Sequence, residues 1–403
     1  MKENGLNIFL FNKKAGVLSR HSEYNPYLLG FTYDSEYDGL PLSCRMPVDE
    51  KYYGEKITYA FFQNVLPEES ILDALARKYH FSPESIFDAL GASGKECAGA
   101  IVITEDESVP PNDLQYREWT DEILGFLRKR RGCLALLAES RFSLAGAQDK
   151  LPVFVQDDHF YMPVNYAPSS HILKPDSRVY PELVFNESFC LSLAQNMHLP
   201  VAWHRIYEYE DACPLLCVKR YDREEGKRLH QEDFCQILGL SHQKKYQEYG
   251  GFKGIGDVFD NAPHNLDIRH ELLDFLLFSY FIGNNDGHIK NLSVIYRENG
   301  ETSLAPLYDL VSTEVYPELS QDMAIAFGMH YKKSEICHDD LWALSCDLDI
   351  ALEDIEKRIE EFIETLPHAL DKTKENCQDR KVISQIEAVV KNSITLAKRQ
   401  FFS

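Results

Sequence analysis

The chain has 403 residues, which is long enough for two or three domains with substantial cores. Its 44% hydrophobic and 12% aromatic content is typical of a folded globular protein. Its 42 basic and 64 acidic side chains give a formal net charge of -22, which disfavours autonomous binding to nucleic acid because polyphosphates are held by basic surfaces.

Compartment signals favour a cytoplasmic location. The sequence starts MKENGLNIFLF, which lacks the basic segment, long apolar stretch and cleavage site of a signal peptide. The longest apolar run, near Phe275–Ile282, is too short to span a bilayer. The ten cysteines are scattered without zinc-site spacing and are typical of reduced thiols. We therefore expect a soluble cytoplasmic protein without membrane association.

Residues 1–105 are predicted to form a small N-terminal α/β subdomain. Short strand-like runs come first, and helical patterns follow. The charged, proline-containing stretch Glu105–Asp113 is typical of a linker and is the best boundary in the chain. The predicted elements are strands at Asn7–Phe11 and Leu28–Tyr33 and a helix at Ser70–Tyr79.

Residues 106–220 are predicted to form a lobe of strands around one further helix. A helical pattern covers Glu118–Glu139, and a loop of small residues then leads into a strand that ends at Val155. Strands, one helix and then strands is the order in the small lobe of a kinase-like fold. The later elements are strands at His171–Leu173, Tyr207–Glu210 and Leu215–Val218 and a helix from Pro181 to about Met197.

Two features of this lobe are candidates for phosphate binding. The loop SLAGAQDK, Ser143–Lys150, contains small residues that let backbone N–H groups approach phosphate oxygens, although a tight turn before a strand is the alternative. Lys174 ends a strand, where its ammonium can enter a cleft or remain solvated. Glu187 in the following helix is its candidate ion-pair partner, as in protein kinases, or an exposed helix residue.

Residues 221–403 are predicted to form an α-rich C-terminal lobe with a single hairpin. The strongly apolar helix Leu272–Ile282 leads directly into the segment GNNDGHIKNLS. The remaining predicted elements are strands at Leu292–Tyr296 and Leu304–Leu307 and helical segments at Leu341–Leu366 and Arg380–Phe402.

The segment GNNDGHIKNLS and the later PLYDL carry the pattern of a phosphoryl-transfer site. In protein kinases an Asp positions the attacking hydroxyl, an Asn five residues later binds a metal ion, and an Asp after a further strand binds Mg²⁺. Asp286, Asn291 and Asp309 have this order and this first spacing. Asn-Asp-Gly alone also favours a simple turn. With the upstream loop and lysine, the order predicts an α+β, two-lobed protein-kinase-like fold and a kinase.

Five segments resemble, in order, the signatures of HipA-type serine/threonine kinases of bacterial toxin–antitoxin systems. The resemblance extends from Ser143 to Ser312, and the N-terminal unit has the length of the family's additional small domain. It implies a protein kinase that depends on ATP and Mg²⁺. The segments are SLAGAQDK, NESFC, RLHQEDFCQILG, GNNDGHIKNLS and APLYDLVS.

The resemblance also implies roles for individual residues. Asp286 would be the catalytic base, Asn291 and Asp309 the Mg²⁺ ligands, and Lys174 a phosphate contact. Ser143, at the start of the phosphate loop, matches a serine whose autophosphorylation ejects that loop and silences the enzyme. The nucleotide would further be contacted by Ala145, Gly146, Ala147, Gln148, Asp149 and Lys150 in the loop, Lys219, Arg220 and Tyr221 in the hinge, and His288, Lys290 and Tyr308 near the metal ligands.

One position departs from the family pattern. The hinge reads VKRYD, with Lys219 where an acidic residue is expected, which puts a side-chain contact to adenine in doubt. Lys290 is a candidate to neutralise the transferring phosphate.

The resemblance further implies partners that no residue here reveals. They are a helix-turn-helix antitoxin of the HipB type, operator DNA bound mainly through that antitoxin, and an aminoacyl-tRNA synthetase as protein substrate.

Two other functions remain open from the sequence. The chain could be a catalytically weak co-repressor that mainly binds an antitoxin, although a site without catalysis has no need for Asp286, Asn291 and Asp309 together. It could also be a small-molecule phosphotransferase, a class that shares the Asp and Asn spacing.

Overall fold

The computed structural model describes residues 5–21, 25, 28–66, 69–109, 114–119, 150–210, 212–246 and 268–402, without the side chains of 69–71. Helices and sheets both contribute substantially, so the fold is α+β. The chain divides into two compact units. The first unit comprises Met1–Pro175, Tyr207–His242 and Ser293–Thr302, and the second comprises Asp176–Ile206, Gln243–Leu292 and Ser303–Ser403.

The first unit begins with a five-stranded sheet of order β4-β3-β2-β1-β5 and three helices. Large apolar side chains from both, including Ile8, Phe31, Phe62 and Leu90, form one buried core because each element has one apolar face. The elements are β1 Gly5–Leu10, β2 Lys13–Arg20, β3 Leu29–Tyr33, β4 Tyr52–Tyr53, α1 Glu55–Val65, α2 Glu69–Tyr79, α3 Ile86–Ser93 and β5 Ile101–Thr104.

A second sheet in the first unit has the strand order β10-β11-β9-β7-β8-β6. Leu151, Leu173 and Leu215 from its three middle strands share a core with Leu75 of α2, which joins the two sheets of this unit. The division between the units falls inside β10. The strands are β6 Gln115–Glu118, β7 Leu151–Gln156, β8 His159–Val164, β9 His171–Pro175, β10 His204–Tyr207 and β11 Leu215–Lys219.

Short strands complete the first unit. Two of them form a two-stranded ribbon, and β14 pairs with β15 in a three-stranded sheet whose last strand, β16, contains the unit boundary. The described elements are β12 Arg223–Glu224, β13 Lys227–Arg228, β14 His230–Asp233, α5 Phe234–Leu238, β15 Ser293–Tyr296 and β16 Thr302–Leu304.

The second unit is mainly helical. Its first helix, α4, packs on two long C-terminal helices, α8 and α9, which also pack on the apolar helix α6. Phe281 stacks on Phe362 at 5.7 Å between ring centroids, and both rings are buried. The elements are α4 Leu183–Asn196, α6 Arg269–Ile282, β17 Asp322–Phe327, β18 His330–Lys332, α7 His338–Leu348, α8 Leu352–Glu375 and α9 Lys381–Phe401.

Several predicted elements are confirmed with ends that differ by at most three residues. The helix predicted at Ser70–Tyr79 is α2, and the helix predicted from Pro181 to about Met197 is α4. The apolar helix Leu272–Ile282 is α6, which begins three residues earlier. The strand predicted at His171–Leu173 is β9, which includes Lys174 as predicted. These segments have strong local hydrophobic patterns, so the sequence was sufficient to predict their secondary structure.

Two predicted strands were placed wrongly. The strand expected at Tyr207–Glu210 is β10, which ends at Tyr207 because the acidic residues that follow favour a turn. The strand expected at Leu304–Leu307 ends at Leu304 as β16. Residues 305–307 leave that sheet, and Leu307 instead makes a parallel bridge with Val201.

The helical predictions were also wrong in places. Glu118, the first residue of the helix predicted at Glu118–Glu139, instead ends β6 and pairs with Tyr161. The part of that predicted helix at residues 120–139 lies outside the described residues. Leu341–Leu366 is two helices, separated where Asp349 adopts a left-handed φ of 52°. The region after Tyr221 also contains strands that were not predicted, such as β14, whose polar sequence HQED hides its buried character.

The compact units do not follow the predicted boundaries at 105 and 220. The first unit joins the predicted N-terminal subdomain to strands from the predicted lobe 106–220, whereas α4 from that lobe lies in the second unit. The assignment of 1–105, 106–220 and 221–403 as domains stays a prediction.

Candidate active site

The turn that carries Asp286 starts where α6 ends. Gly283 closes the helix in the left-handed conformation with φ of 66°. A Cβ at this position would lie 2.6 Å from Glu314 Oε2 and 2.7 Å from Glu314 Cβ, so both conformation and space require glycine. The chain therefore leaves the buried helix sharply, and Asp286 is exposed three residues later.

Hydrogen bonds fix this turn to the segment after Asp309. The Thr313 hydroxyl donates to the Gly283 carbonyl at 3.2 Å and accepts from the Asn285 N–H at 2.8 Å. The Glu314 N–H donates to the same carbonyl at 3.0 Å. On the side of the turn, these bonds are made by two backbone groups, the Gly283 carbonyl and the Asn285 N–H.

Asn291 is oriented for oxygen coordination. It ends a short 3-10 helix, Ile289–Asn291, and its Nδ2 donates to the Asp286 carbonyl at 3.2 Å. A carbonyl oxygen can only accept, so this bond assigns the amide nitrogen and leaves the amide oxygen facing the other way. Amide and carboxylate oxygens are ligands that Mg²⁺ prefers. The side chain therefore fits the metal role predicted for it.

Asp309 lies at a strained position. Its φ is 53°, a left-handed conformation that costs free energy for a residue with a Cβ and that clusters at functional sites. The preceding segment is held by backbone bonds, because Leu307 N–H donates to Pro200 O at 2.8 Å and its carbonyl accepts from Ala202 N–H at 2.9 Å. Tyr308 Oη donates to the Lys290 carbonyl at 2.9 Å, which brings the neighbour of Asp309 to the neighbour of Asn291.

Helix α4 holds the other side of this segment. Asn186 Nδ2 donates to the Ser312 carbonyl at 3.0 Å, and its Oδ1 accepts from the Ser312 N–H at 2.8 Å. Asn186 is fully buried, so this reciprocal pair satisfies groups that water cannot reach. Asn186 was not predicted as a site residue, although it lies in the NESFC segment.

A tyrosine that the sequence analysis missed contacts the predicted base. Tyr246 Oη donates to Asp286 Oδ1 at 2.7 Å. Its ring also lies edge-on to His288, with the ring centroids 5.2 Å apart at 74°. His288 and Lys290 are both buried, and the nucleotide contacts predicted for them stay predictions.

In the first unit, the two candidate phosphate-binding lysines lie at one end of a strand pair. Leu151 of β7 pairs with Leu173 of β9, so continuing this register by one residue sets Lys150 opposite Lys174. Directly opposed residues of an antiparallel pair share one face of the sheet. Both lysines are buried, at 7% and 4% exposure. Two cations on one face at adjacent strands suit a polyanionic ligand such as a triphosphate.

The hinge residues have three different environments. Lys219 is exposed. Tyr221 Oη donates to Gln231 Oε1 at 2.7 Å, and its oxygen is 3.1 Å from Ser293 Oγ. The Arg220 guanidinium is buried in an ion network, where it contacts Glu96 at 2.9 Å and Asp222 at 2.6 Å. Its side chain therefore supports the fold of the first unit, and an adenine contact there stays a prediction.

The contacts expected of the remaining predicted residues stay predictions. Lys174 belongs to the first unit and Glu187, which is buried, to the second, and their ion pair stays a prediction. Ser143 and the loop residues 145–149 lie outside the described residues.

The side chains that could bind a metal ion are few, which is typical of an ion whose coordination is completed by substrate and water. Among the described residues there is no cluster of three or more His, Cys, Asp or Glu side chains that could hold a metal ion. Mg²⁺ in phosphotransferases is commonly bound by one or two protein side chains together with substrate phosphates and water. Asn291 and Asp309 fit this arrangement.

Within the described ranges, no helix combines the length and apolar character needed to cross a bilayer.

Known protein families and individual proteins are similar to this chain over most of its length. A family model described as the HipA-like C-terminal domain matches residues 142–370, and a model of the HipA N-terminal domain matches residues 6–104. A Sinorhizobium fredii protein called "Putative kinase Y4mE" is 32% identical over 373 residues, covering 87% of this chain and 88% of that protein. The serine/threonine-protein kinase toxin HipA of Shewanella oneidensis is 28% identical over 352 residues, covering 82% and 80%.

A solved structure matches over nearly the whole chain. The complex of Shewanella oneidensis HipA, HipB and operator DNA aligns with a TM-score of 0.83 over 98% of this chain and 97% of the other, at 24% identity. The predicted fold class, α+β with a two-lobed kinase-like architecture, is confirmed by this match.

Proposed function

The chain belongs to the HipA family, and from this membership we propose that it is an ATP- and Mg²⁺-dependent serine/threonine protein kinase that acts as a growth-arresting toxin. The observation that carries the proposal is the anchored arrangement of the catalytic segments in the second unit. The Thr313 hydroxyl links the Asp286 turn to the segment after Asp309 by two hydrogen bonds. The hydroxyl of Tyr308, the residue before Asp309, bonds to the carbonyl of Lys290, the residue before Asn291. Such fixed placement suits phosphoryl transfer, in which positioning and charge stabilisation supply most of the catalysis.

Each residue then has a defined task. The acceptor serine hydroxyl gives its proton to Asp286 as its oxygen bonds to the γ-phosphorus of ATP and ADP leaves. Asn291 and Asp309 would hold Mg²⁺, which neutralises charge on the phosphates. Lys150 and Lys174 would bind phosphate oxygens, and Lys290 is proposed to neutralise the transferring group. Tyr308, His288 and the hinge Lys219–Tyr221 would border the nucleotide.

Regulation and partners are proposed from the family. Phosphorylation of Ser143 would place nearly two negative charges in the phosphate loop and repel ATP, which would silence the enzyme. The complex of HipA, HipB and operator DNA from Shewanella oneidensis supports a helix-turn-helix antitoxin partner, with DNA bound mainly through it. The net charge of -22 also disfavours direct DNA binding. The proposed acceptor is a translation-related protein of the aminoacyl-tRNA synthetase class.

The decisive experiment replaces the proposed base. We expect Asp286→Asn to keep the fold and to lower phosphate transfer at least 100-fold, because an amide cannot take the proton. The measurement is mass spectrometry after incubation of the purified protein, and then of cell lysate, with isotopically labelled ATP and Mg²⁺. It reports both phospho-Ser143 and the protein acceptor.

Asp339→Asn is the matched control, since Asp339 is exposed on α7 and should leave the rate unchanged. Self-phosphorylation by Asp286→Asn at the wild-type rate would exclude Asp286 as the base. Equal growth inhibition by wild type and Asp309→Asn would favour a co-repressor, and phosphorylation of an antibiotic or sugar with no protein acceptor would favour a small-molecule phosphotransferase.

A further inference from the structure

We propose that Tyr246 occupies the acceptor position of Asp286, so that a protein hydroxyl must displace the tyrosine hydroxyl before transfer. The inference rests on the proposed function, in which Asp286 is the general base. It assigns Tyr246 as an internal competitor that sets the apparent affinity for the acceptor.

The contact has the geometry of a base with its acceptor. A general base lies about 2.6–3.2 Å from the hydroxyl whose proton it takes. Tyr246 Oη donates to Asp286 Oδ1 at 2.7 Å. The phenol offers the same O–H donor as a serine or threonine, so it makes the hydrogen bond that the acceptor has to make.

The tyrosine ring is held in place by neighbours of the base. His288, two residues after Asp286 and itself buried, packs edge-on to the ring at 5.2 Å between centroids. The Lys245 ammonium lies 5.5 Å from the ring centroid, within the range of a cation–π contact. These contacts keep the hydroxyl close to Asp286.

The contact is also weak enough to be displaced. Tyr246 is 41% exposed and Asp286 is exposed, so water competes for both groups. A hydrogen bond of this kind changes an equilibrium only about three- to tenfold. A protein acceptor with further contacts can overcome that competition, whereas an acceptor with few contacts is disfavoured.

Tyr246→Phe tests the idea because it removes the hydroxyl and keeps the ring that packs on His288. With dephosphorylated casein as acceptor and saturating MgATP, we expect KM for casein to fall about three- to tenfold while kcat stays within about twofold. A fall in kcat at constant KM would mean that Tyr246 positions Asp286, and an unchanged KM would mean that it does not compete. Either result would overturn the proposal.

Tyr52→Phe is the matched control. Tyr52 is also exposed and its ring stacks on His21 at 6.3 Å, and no hydrogen bond from its hydroxyl to a carboxylate is among the described contacts. The kinetic constants should not change.

A second measurement keeps the inference separate from the proposed kinase activity. In protein labelled with ¹³Cζ-tyrosine, the NMR resonance lost in Tyr246→Phe identifies Tyr246. That resonance should shift in Asp286→Asn, since the carboxylate acceptor becomes an amide. An unshifted resonance would show that the contact is absent in solution and would refute the inference even if the kinase is active. A shifted resonance in a protein that transfers no phosphate would instead place the failure with the proposed function.

Discussion

Glu232 is a buried carboxyl group that no sequence motif marks. It lies in β14 at 1% exposure, and its Oε2 accepts from the Cys44 N–H at 3.0 Å. Burial raises the pKa of Glu232 to about 7, although hydrogen bonds from Ser43, Cys44 and Tyr296 oppose that rise. The group therefore titrates near neutral pH within the first unit.

This titration predicts a pH-dependent stability. The folded pKa of about 7 exceeds the reference value of 4.5, so folding binds a proton. The stabilisation is full below pH 4.5 and is lost as pH rises through 7. Between pH 5 and pH 8, the free energy of unfolding of the wild type should fall by about 2–3 kcal/mol more than that of Glu232→Gln. Urea unfolding at the two pH values measures this difference.

Glu318→Gln is the control, since Glu318 is exposed and its replacement should leave the pH dependence intact. The same slope for wild type and Glu232→Gln would show that Glu232 does not take up a proton on folding.

At the scale of elements, α4 contacts the segment after Asp309 through the side chain of Asn186. Its Asn186 makes both hydrogen bonds to the Ser312 backbone, three residues after Asp309. Asn186→Ala would leave two buried backbone groups unpaired and is expected to cost about 2–4 kcal/mol. It should also lower the apparent affinity for Mg²⁺ about tenfold, because the segment that orients a metal ligand is no longer held in place. Thermal unfolding and a Mg²⁺ titration of ATP binding measure the two effects.

Another asparagine on the same helix provides the control. Asn196 Nδ2 donates at 2.9 Å to Thr373 Oγ1, which belongs to the long helix α8 and not to the segment after Asp309. Asn196→Ala should cost about 1 kcal/mol and leave the Mg²⁺ titration unchanged. If both variants shift that titration equally, Asn186 has no positioning role.

The type of an element could be predicted where its local sequence pattern was strong. The prediction failed where strand pairing or tertiary packing determined the element. α6 has a nearly continuous apolar sequence, and β9 has a short apolar run, so both were found. Helix α8 continues through Pro367 to Glu375, although proline disfavours a helix interior. Leu366 and Leu370 are buried on either side of it, so packing offsets the lost backbone hydrogen bond.

At the scale of the whole molecule, one buried ion network joins distant segments of the first unit. Glu96, fully buried, contacts Arg220 and Arg223 at 2.9 Å and Arg228 at 2.5 Å. Burial raises the pKa of Glu96, but Arg223, Arg228 and Arg220 outweigh it and hold the pKa at about 2. The network links the end of α3 to the segment after β11.

Removal of the central carboxylate should destabilise the first unit strongly. Glu96→Gln keeps the shape but leaves buried guanidinium charge uncompensated, which costs about 3–5 kcal/mol. Urea unfolding measures the loss. Glu107→Gln, which breaks the exposed contact to Lys14, should change little. Similar effects of the two variants would mean that the network does not stabilise the unit.

The family, the α+β kinase-like class and the order of the candidate site segments could all be predicted from the sequence. These rest on short motifs and on the spacing of Asp286, Asn291 and Asp309, which are local properties of the chain. Only the tertiary structure decided how the segments are held. Asn186 and Ser312 are 126 residues apart, Glu96 and Arg223 are 127 apart, and Tyr246 and Asp286 are 40 apart. Such contacts form between elements that fold onto each other, so no local pattern predicts them.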